Sequence, residues 1–227
     1  MNAIKTVLID IDDTLLDFAK CSEEAIRISC ASSGLTYTQN LCDAFHEIND
    51  ILWKKIELGS LTSKELHRIR WNMIFGKLGI DADGEAFEAD FCKNLSETSS
   101  PVDGALDLLK YLSSKYAVYT ASNAAHHQQA QRLQKSGMLG FVKACITSVE
   151  VGFQKPTKEF FDACMKKADV PAKEEAVIIG DSLTADIEGG ISYGLKTIWF
   201  NKYGKAPQKG IKPDFTVTAL SDIKNIL

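Results

Sequence analysis

No stretch of this chain stays apolar for the roughly 20 residues that a bilayer-spanning helix needs, and no basic run exceeds pairs such as Lys54-Lys55 and Lys166-Lys167. The first lack argues against a membrane protein. The second, with a net charge of -4, gives nucleic acid or an acidic membrane no footing as a partner. The six cysteines (Cys21, Cys30, Cys42, Cys92, Cys145 and Cys164) are nowhere spaced C-x-x-C. They read as reduced, mostly buried thiols rather than a disulfide framework or zinc ligands. Lys5 and Asp10 interrupt any leader-type apolar region, and neither an internal repeat nor a low-complexity segment is present. These absences lead to the expectation of a cytoplasmic protein, monomer or homodimer, without a macromolecular nucleic-acid or membrane partner.

What the 227 residues do contain, at 45% hydrophobic and 25% charged, suits one large domain or a core domain with an insertion. Short apolar runs at residues 4–9, 116–121, 144–147, 176–179 and 197–200 read as buried parallel strands, with 215–217 as a further one at an edge. Helix-length amphipathic segments lie between them, at 104–113, 125–135, 158–168 and 184–193. That alternation predicts an α/β fold with a doubly wound parallel sheet. The first strand breaks the rhythm. The eighty or so residues after it read as helices only, at 23–31, 41–57, 63–78 and 85–95. Leu41, Phe45, Ile48 and Leu52 share one face, Thr62 with Glu65 resembles a capping box, and Gly34, Gly59 and Gly79 fall where helices should stop. The expected organisation is a core of residues 1–16 and 98–227, with an all-helical cap domain of 17–97 inserted after the first strand.

The stretch "VLIDIDDTLLD" places Asp10, Asp12, Asp13 and Asp17 where an apolar strand ends. Sites in parallel sheets form beyond the carboxyl ends of strands, so Asp10 and Asp12 point to a crevice rather than to a solvated acidic loop. A calcium loop is excluded by Leu15 at the turn position and Cys21 at the last one. The second strand ends at Ser122 and Asn123, either an anion cradle or a helix N-cap. Lys155 precedes Pro156, which suits the first turn of a helix, and in isolation it reads as a surface lysine. The fourth strand ends at Asp181, with Asp186 five residues on; Asp181 alone could be a cap. Taken together, acid pair, hydroxyl, lysine and second acid pair fall at strand ends or helix starts. One cation and one phosphate would neutralise the set, and Mg2+ prefers carboxylate oxygens and bridges protein to phosphate.

In that order "DIDDT", "SN", "KP" and "GDSLTAD" resemble the four motifs of the haloacid dehalogenase-like (HAD) hydrolase superfamily. The resemblance runs over essentially the whole chain, helical cap included. "DIDDTLLDF" and "GFQKPTKEFF" look most like the bacterial pyrimidine 5'-nucleotidase branch. The resemblance implies that Asp10 is the nucleophile that forms an aspartyl-phosphate and that Asp12 is the general acid and base. It implies that Thr14, Ser122, Asn123 and Lys155 hold the phosphoryl group. Magnesium would be held by Asp10, the backbone carbonyl of Asp12, and Asp181, supported by Asp186. Carboxylate neighbours are expected to keep Asp12 protonated when it expels an alkoxide. Dehalogenase members lack an acid at the Asp12 position, and ion pumps lack it and have membrane helices; a phosphomonoesterase is what remains. Ile9 and Ala124 depart from the Phe and Gly that relatives carry there.

The expected substrate is a small phosphorylated metabolite, a pyrimidine nucleoside 5'-monophosphate above others. The cap should read its leaving group, with Trp53, Trp71, His46, His67, Lys54, Arg68 and Arg70 as candidates, most of them expected to be structural or solvated. Asp17 and Phe18 flank the hinge. A sugar-phosphate phosphatase or phosphomutase on the same scaffold, an inactive phosphate-binding relative and a phospho-accepting receiver module stay open. Receivers are shorter and need no cap.

Overall fold

The computed structural model describes residues 4–227; the first three residues, which the sequence assigns to the core, lie outside the described ones. The chain divides into two compact units, the described part of Met1–Asp17 with Ser99–Leu227, and Phe18–Thr98.

The first unit is built on β1 (Thr6–Ile9), β2 (Ala117–Ser122), β3 (Ala144–Thr147), β4 (Ala176–Gly180), β5 (Lys196–Phe200) and β6 (Phe215–Val217). All pairings are parallel, in the order β3-β2-β1-β4-β5-β6. Alternation along β1 sends Val7 and Ile9 to one face of the sheet and Leu8 to the other, and all are fully buried. Val7 and Ile9 join a cluster with Leu108, Leu109, Leu112, Leu133 and Ile223; Leu8 joins Phe160, Phe161 and Cys164. Each such side chain withdrawn from water contributes about 1.5–3 kcal/mol. Both faces are therefore covered, which is why these strands read as continuous apolar runs. β1 lies between β2 and β4, where the winding reverses, so the carboxyl ends of β1, β2 and β4 open on one crevice.

The second unit holds α1 (Phe18–Ser32), α2 (Gln39–Glu57), α3 (Ser63–Leu78) and α4 (Gly84–Glu97). Leu41, Phe45, Ile48 and Leu52 form the buried face of α2. Thr62 and Glu65 make the reciprocal capping box, and Gly79 ends α3 in the left-handed region at φ 67°. Trp71 sits at the centre of this unit, with ring centroids 4.3 Å from Phe87 and 5.4 Å from Phe45. Arg70 is buried beside it, its guanidinium donating to Glu88 at 2.6 and 3.1 Å and to Asn49 at 2.8 Å. Both residues serve packing in this unit.

The core helices are α5 (Ala105–Lys115), α6 (His126–Lys135), α7 (Ser148–Val151), α8 (Lys158–Lys167) and α9 (Gly189–Tyr193). The predicted helix over 184–193 is instead a π-helical turn, Leu183–Glu188, followed by the short α9. The close packing of Gly189 and Gly190 belongs to this difference: a Cβ on Gly189 would lie 2.9 Å from Phe161 and Pro156, and one on Gly190 2.5 Å from Ile178. The first turn of α8 begins at Lys158 with Thr157 as N-cap, so Pro156 stands outside the helix rather than in its first turn. The six cysteines are free thiols, five of them buried. No helix among the described residues is long and apolar enough to cross a membrane.

Candidate active site

Asp10 follows directly on β1, its backbone N–H donating to Ile179 of β4. The chain then turns tightly. Leu15 and Leu16 both donate to the Ile11 carbonyl, and Asp13 adopts φ 57°, which an Asp tolerates better than a branched residue. Asp181 follows β4 in the same way. Asp186 then returns on the π-helical turn to within 3.1 Å of the Ser182 N–H, which donates to it.

Lys155 joins these elements. Its ammonium, almost wholly buried, donates to Asp10 Oδ1 at 2.7 Å, to Asp186 Oδ1 at 2.6 Å and to the Ala121 carbonyl of β2 at 2.7 Å. Buried charges must be paired, and here all three donors of the ammonium are used. The isolated reading of Lys155 as a surface lysine is thereby excluded. Asn123 fixes the lysine backbone: its amide accepts from Lys155 N at 2.8 Å and donates to Lys155 O at 3.0 Å.

Ligand oxygens of Asp10, Asp181 and Asp186 lie within 4.8 Å of one another. Burial, then the charges of Asp10, Asp13 and Asp186, raise Asp181 well above the ordinary carboxylate value. Burial, opposed by Lys155 and reinforced by Asp186, pushes Asp10 up to about 7. Burial alone would pull Lys155 down, but Asp10 and Asp186 together outweigh it and hold the ammonium charged. The cluster thus carries more negative charge than one lysine settles. Its all-oxygen donor set fits a hard divalent cation and not a soft one.

The remaining sequence candidates take more specific positions than expected. Thr14, which the resemblance assigns to the phosphoryl group, is fully buried and its hydroxyl donates to Asp181 Oδ1 at 3.3 Å. Ser122 and Asn123 do not cap α6, whose N-cap is Ala125; nor does Asp181 cap the turn after it, where Ser182 holds that place. The Ser122 hydroxyl accepts from Ala124 N at 3.2 Å and from Gln129 Nε2 at 3.0 Å, so its own O–H proton can serve a further acceptor. Asp12 differs most. The sequence surrounds it with carboxylates, whereas its carboxylate accepts from Arg132 Nη1 and Gln129 Nε2, each at 2.6 Å. Its side-chain partners are donors, not acids.

Gln129 and Arg132 are the site residues that sequence reasoning missed. The available signal was helical period: Leu133 marks the buried face of α6, and Gln129 lies one turn before it. Asp17, a hinge candidate, is buried and accepts from Lys202 at 3.0 Å. In the helical unit, His67 contacts Glu88 at 2.7 Å and Cys92 lies 3.0 Å from the same oxygen, but Arg70 already neutralises that carboxylate.

Comparison with known proteins agrees with this geometry. The sequence profile of the haloacid dehalogenase-like hydrolases matches residues 4–194. The HAD-hydrolase YfnB of Bacillus subtilis (strain 168) is 34% identical over 100% of this chain and 97% of its own. Its crystal structure, described as bound to magnesium, superposes with a TM-score of 0.94 over 100% of this chain and 99% of that one. The pyrimidine 5'-nucleotidase PynA of Streptococcus pneumoniae (strain ATCC BAA-255 / R6) is 31% identical over 98% of this chain and 97% of its own. The pyrimidine 5'-nucleotidase YjjG of Escherichia coli (strain K12) is 28% identical over 97% and 96%. With its strand-end aspartates, its buried lysine and these relatives, the chain belongs to the haloacid dehalogenase-like hydrolases.

Proposed function

We propose that this hydrolase is a Mg2+-dependent phosphomonoesterase that works through an aspartyl-phosphate on Asp10, with pyrimidine nucleoside 5'-monophosphates as preferred substrates. The observation that carries the mechanism is the Lys155 ammonium held between Asp10, at the carboxyl end of β1, and Asp186, on the turn that follows β4. A carboxylate approaching a phosphate dianion meets like-charge repulsion, and a buried cation bonded to that carboxylate offsets it. Magnesium, held by Asp10, Asp181 and the Asp12 carbonyl with Asp186 in support, would neutralise further phosphate charge and orient the ester. An Asp10 oxygen attacks phosphorus as the bond to the leaving oxygen breaks, and Asp12 gives that oxygen a proton. Water then attacks the phosphorus of the aspartyl-phosphate, Asp12 takes its proton, and inorganic phosphate leaves with Asp10 restored. Ser122 would donate its hydroxyl to a phosphoryl oxygen, and Asn123 keeps Lys155 in register.

The likeness to two pyrimidine 5'-nucleotidases over nearly the whole chain supports the substrate class. The test is phosphate release, with magnesium present, from UMP, dUMP, dTMP, purine monophosphates and sugar phosphates, with Asp10→Asn alongside. Pyrimidine monophosphates should lead by about tenfold in kcat/KM, a difference of about 1.4 kcal/mol in transition-state binding, and the variant should be inactive. Leading sugar phosphates would leave the mechanism and remove the substrate class. An active Asp10→Asn would remove the mechanism.

A further inference from the structure

We propose that Arg132 and Gln129 are positioning residues for Asp12, holding its carboxylate in fixed relation to the Ser122 hydroxyl. The inference rests on the acid/base role proposed above for Asp12. Each oxygen of Asp12 accepts one hydrogen bond, Oδ1 from Arg132 Nη1 and Oδ2 from Gln129 Nε2, each at 2.6 Å, which leaves a second lone pair on each for the transferred proton. Two donors on two oxygens fix not only where the carboxylate lies but how its plane is turned. Gln129 is itself fixed, since its Oε1 accepts from the same Arg132 Nη1 at 3.1 Å. Its Nε2 also donates to Ser122 Oγ at 3.0 Å. The network therefore ties the proton-transferring group of β1's turn to the hydroxyl at the end of β2 through one face of α6.

The burial pattern agrees. The Arg132 side chain is 1% exposed, whereas the Asp12 side chain it pairs with is 28% exposed. Burying a guanidinium costs several kcal/mol unless it is well paired, and a core position facing the sheet would normally be apolar. Leu133, beside it on the same helix, shows what packing alone selects. The two polar residues meet a requirement of Asp12. A proton is delivered efficiently only from a group held within about 0.5 Å and 10–20° of its working geometry, and a short side chain on a tight turn does not supply that by itself.

The test compares kcat/KM for two esters in the magnesium-loaded enzyme. The nitrophenolate leaving from 4-nitrophenyl phosphate needs no proton; the alkoxide from the alkyl monoester that the wild type hydrolyses fastest does. In Asp12→Asn the alkyl ester should lose far more than the aryl ester. Arg132→Gln should show the same asymmetry in milder form: at least about a tenfold loss on the alkyl ester and less than about threefold on the aryl ester, with KM little changed. Arg132→Lys, which keeps one cationic donor, should fall between. Equal losses on both esters in Arg132→Gln, or no loss, would overturn the inference while the phosphatase reading stands. Should Arg132→Gln not fold, Gln129→Leu leaves the ion pair intact and must show the same asymmetry; an equal loss there overturns the inference. A wild type inactive on both esters, or an Asp12→Asn that does not discriminate between them, removes the underlying reading and the inference with it.

Discussion

At position 180 the chain carries no side chain because Asp186 occupies the space: a Cβ there would lie 2.1 Å from Asp186 Oδ2. This glycine is needed for close approach, not for unusual backbone angles. Gly180→Ala should force Asp186 off Lys155 and the Ser182 N–H and lower phosphatase activity about a hundredfold, the scale of a 1 Å misplacement. Far-UV circular dichroism should stay native; undiminished activity would deny Asp186 its place in the site. Individual acids were legible in the sequence because an apolar run ending in Asp has no folding reason to do so. The partners of Asp12 were not. Gln129 and Arg132 stand 117 and 120 residues away from it, and neither polar type signals a contact at that distance.

Among the elements, α3 and α4 meet through a buried ion pair as well as through aromatic rings. Arg70 and Glu88 are both nearly inaccessible. Glu88→Ala would leave the guanidinium buried with Asn49 still accepting from it, and should cost about 3–5 kcal/mol of stability, read as a lowered midpoint in urea. A loss below about 1 kcal/mol would mean the pair is solvated in solution. Burial alone would raise Glu88, but His67 and Arg70 outweigh it and hold the carboxyl below its ordinary 4.5. That stabilisation is present above the ordinary value and is lost as pH falls through the folded one. Strands were the elements best read from sequence, since a buried strand needs only a short apolar run. The π-helical turn at Leu183–Glu188 was not, because six residues are too few for the one-residue difference between i→i+5 and i→i+4 bonding to show as a period.

For the whole molecule, the doubly wound sheet concentrates Asp10, Asp181 and Asp186 at one end of its strands, and Lys155 pairs with Asp10 and Asp186. Asp10 is pushed from 3.8 up to about 7, and Asp181 is also raised. The folded state therefore binds more protons than the unfolded chain between those values, and this cluster makes stability fall as pH rises through that window. Asp181→Asn, which removes one ionisable acid from the cluster but keeps an acceptor for Thr14, should raise the Tm of the metal-free protein at pH 7.5. Each 1 kcal/mol gained corresponds to about 2–4 °C in a chain of this size. Magnesium should raise the Tm of the wild type and not of the variant. A variant that melts lower without metal, or still responds to magnesium, would contradict the crowding of charge at this end of the strands.

Whatever depends on local pattern could be read along the chain. Apolar runs and amphipathic periods announced a parallel α/β sheet and a block of helices, because burial on two faces or on one face leaves a different period in the chain. Acids at strand ends announced a site, because the carboxyl edge of a parallel sheet is where loops converge. Which partner each group takes is settled only in the folded chain: Asp181 for Thr14, the Lys155 backbone for Asn123, and Arg132 with Gln129 for Asp12. These pairings join residues far apart in the chain. A hydrogen bond has direction and length, and no one-dimensional spacing encodes either until the strands have set their ends side by side.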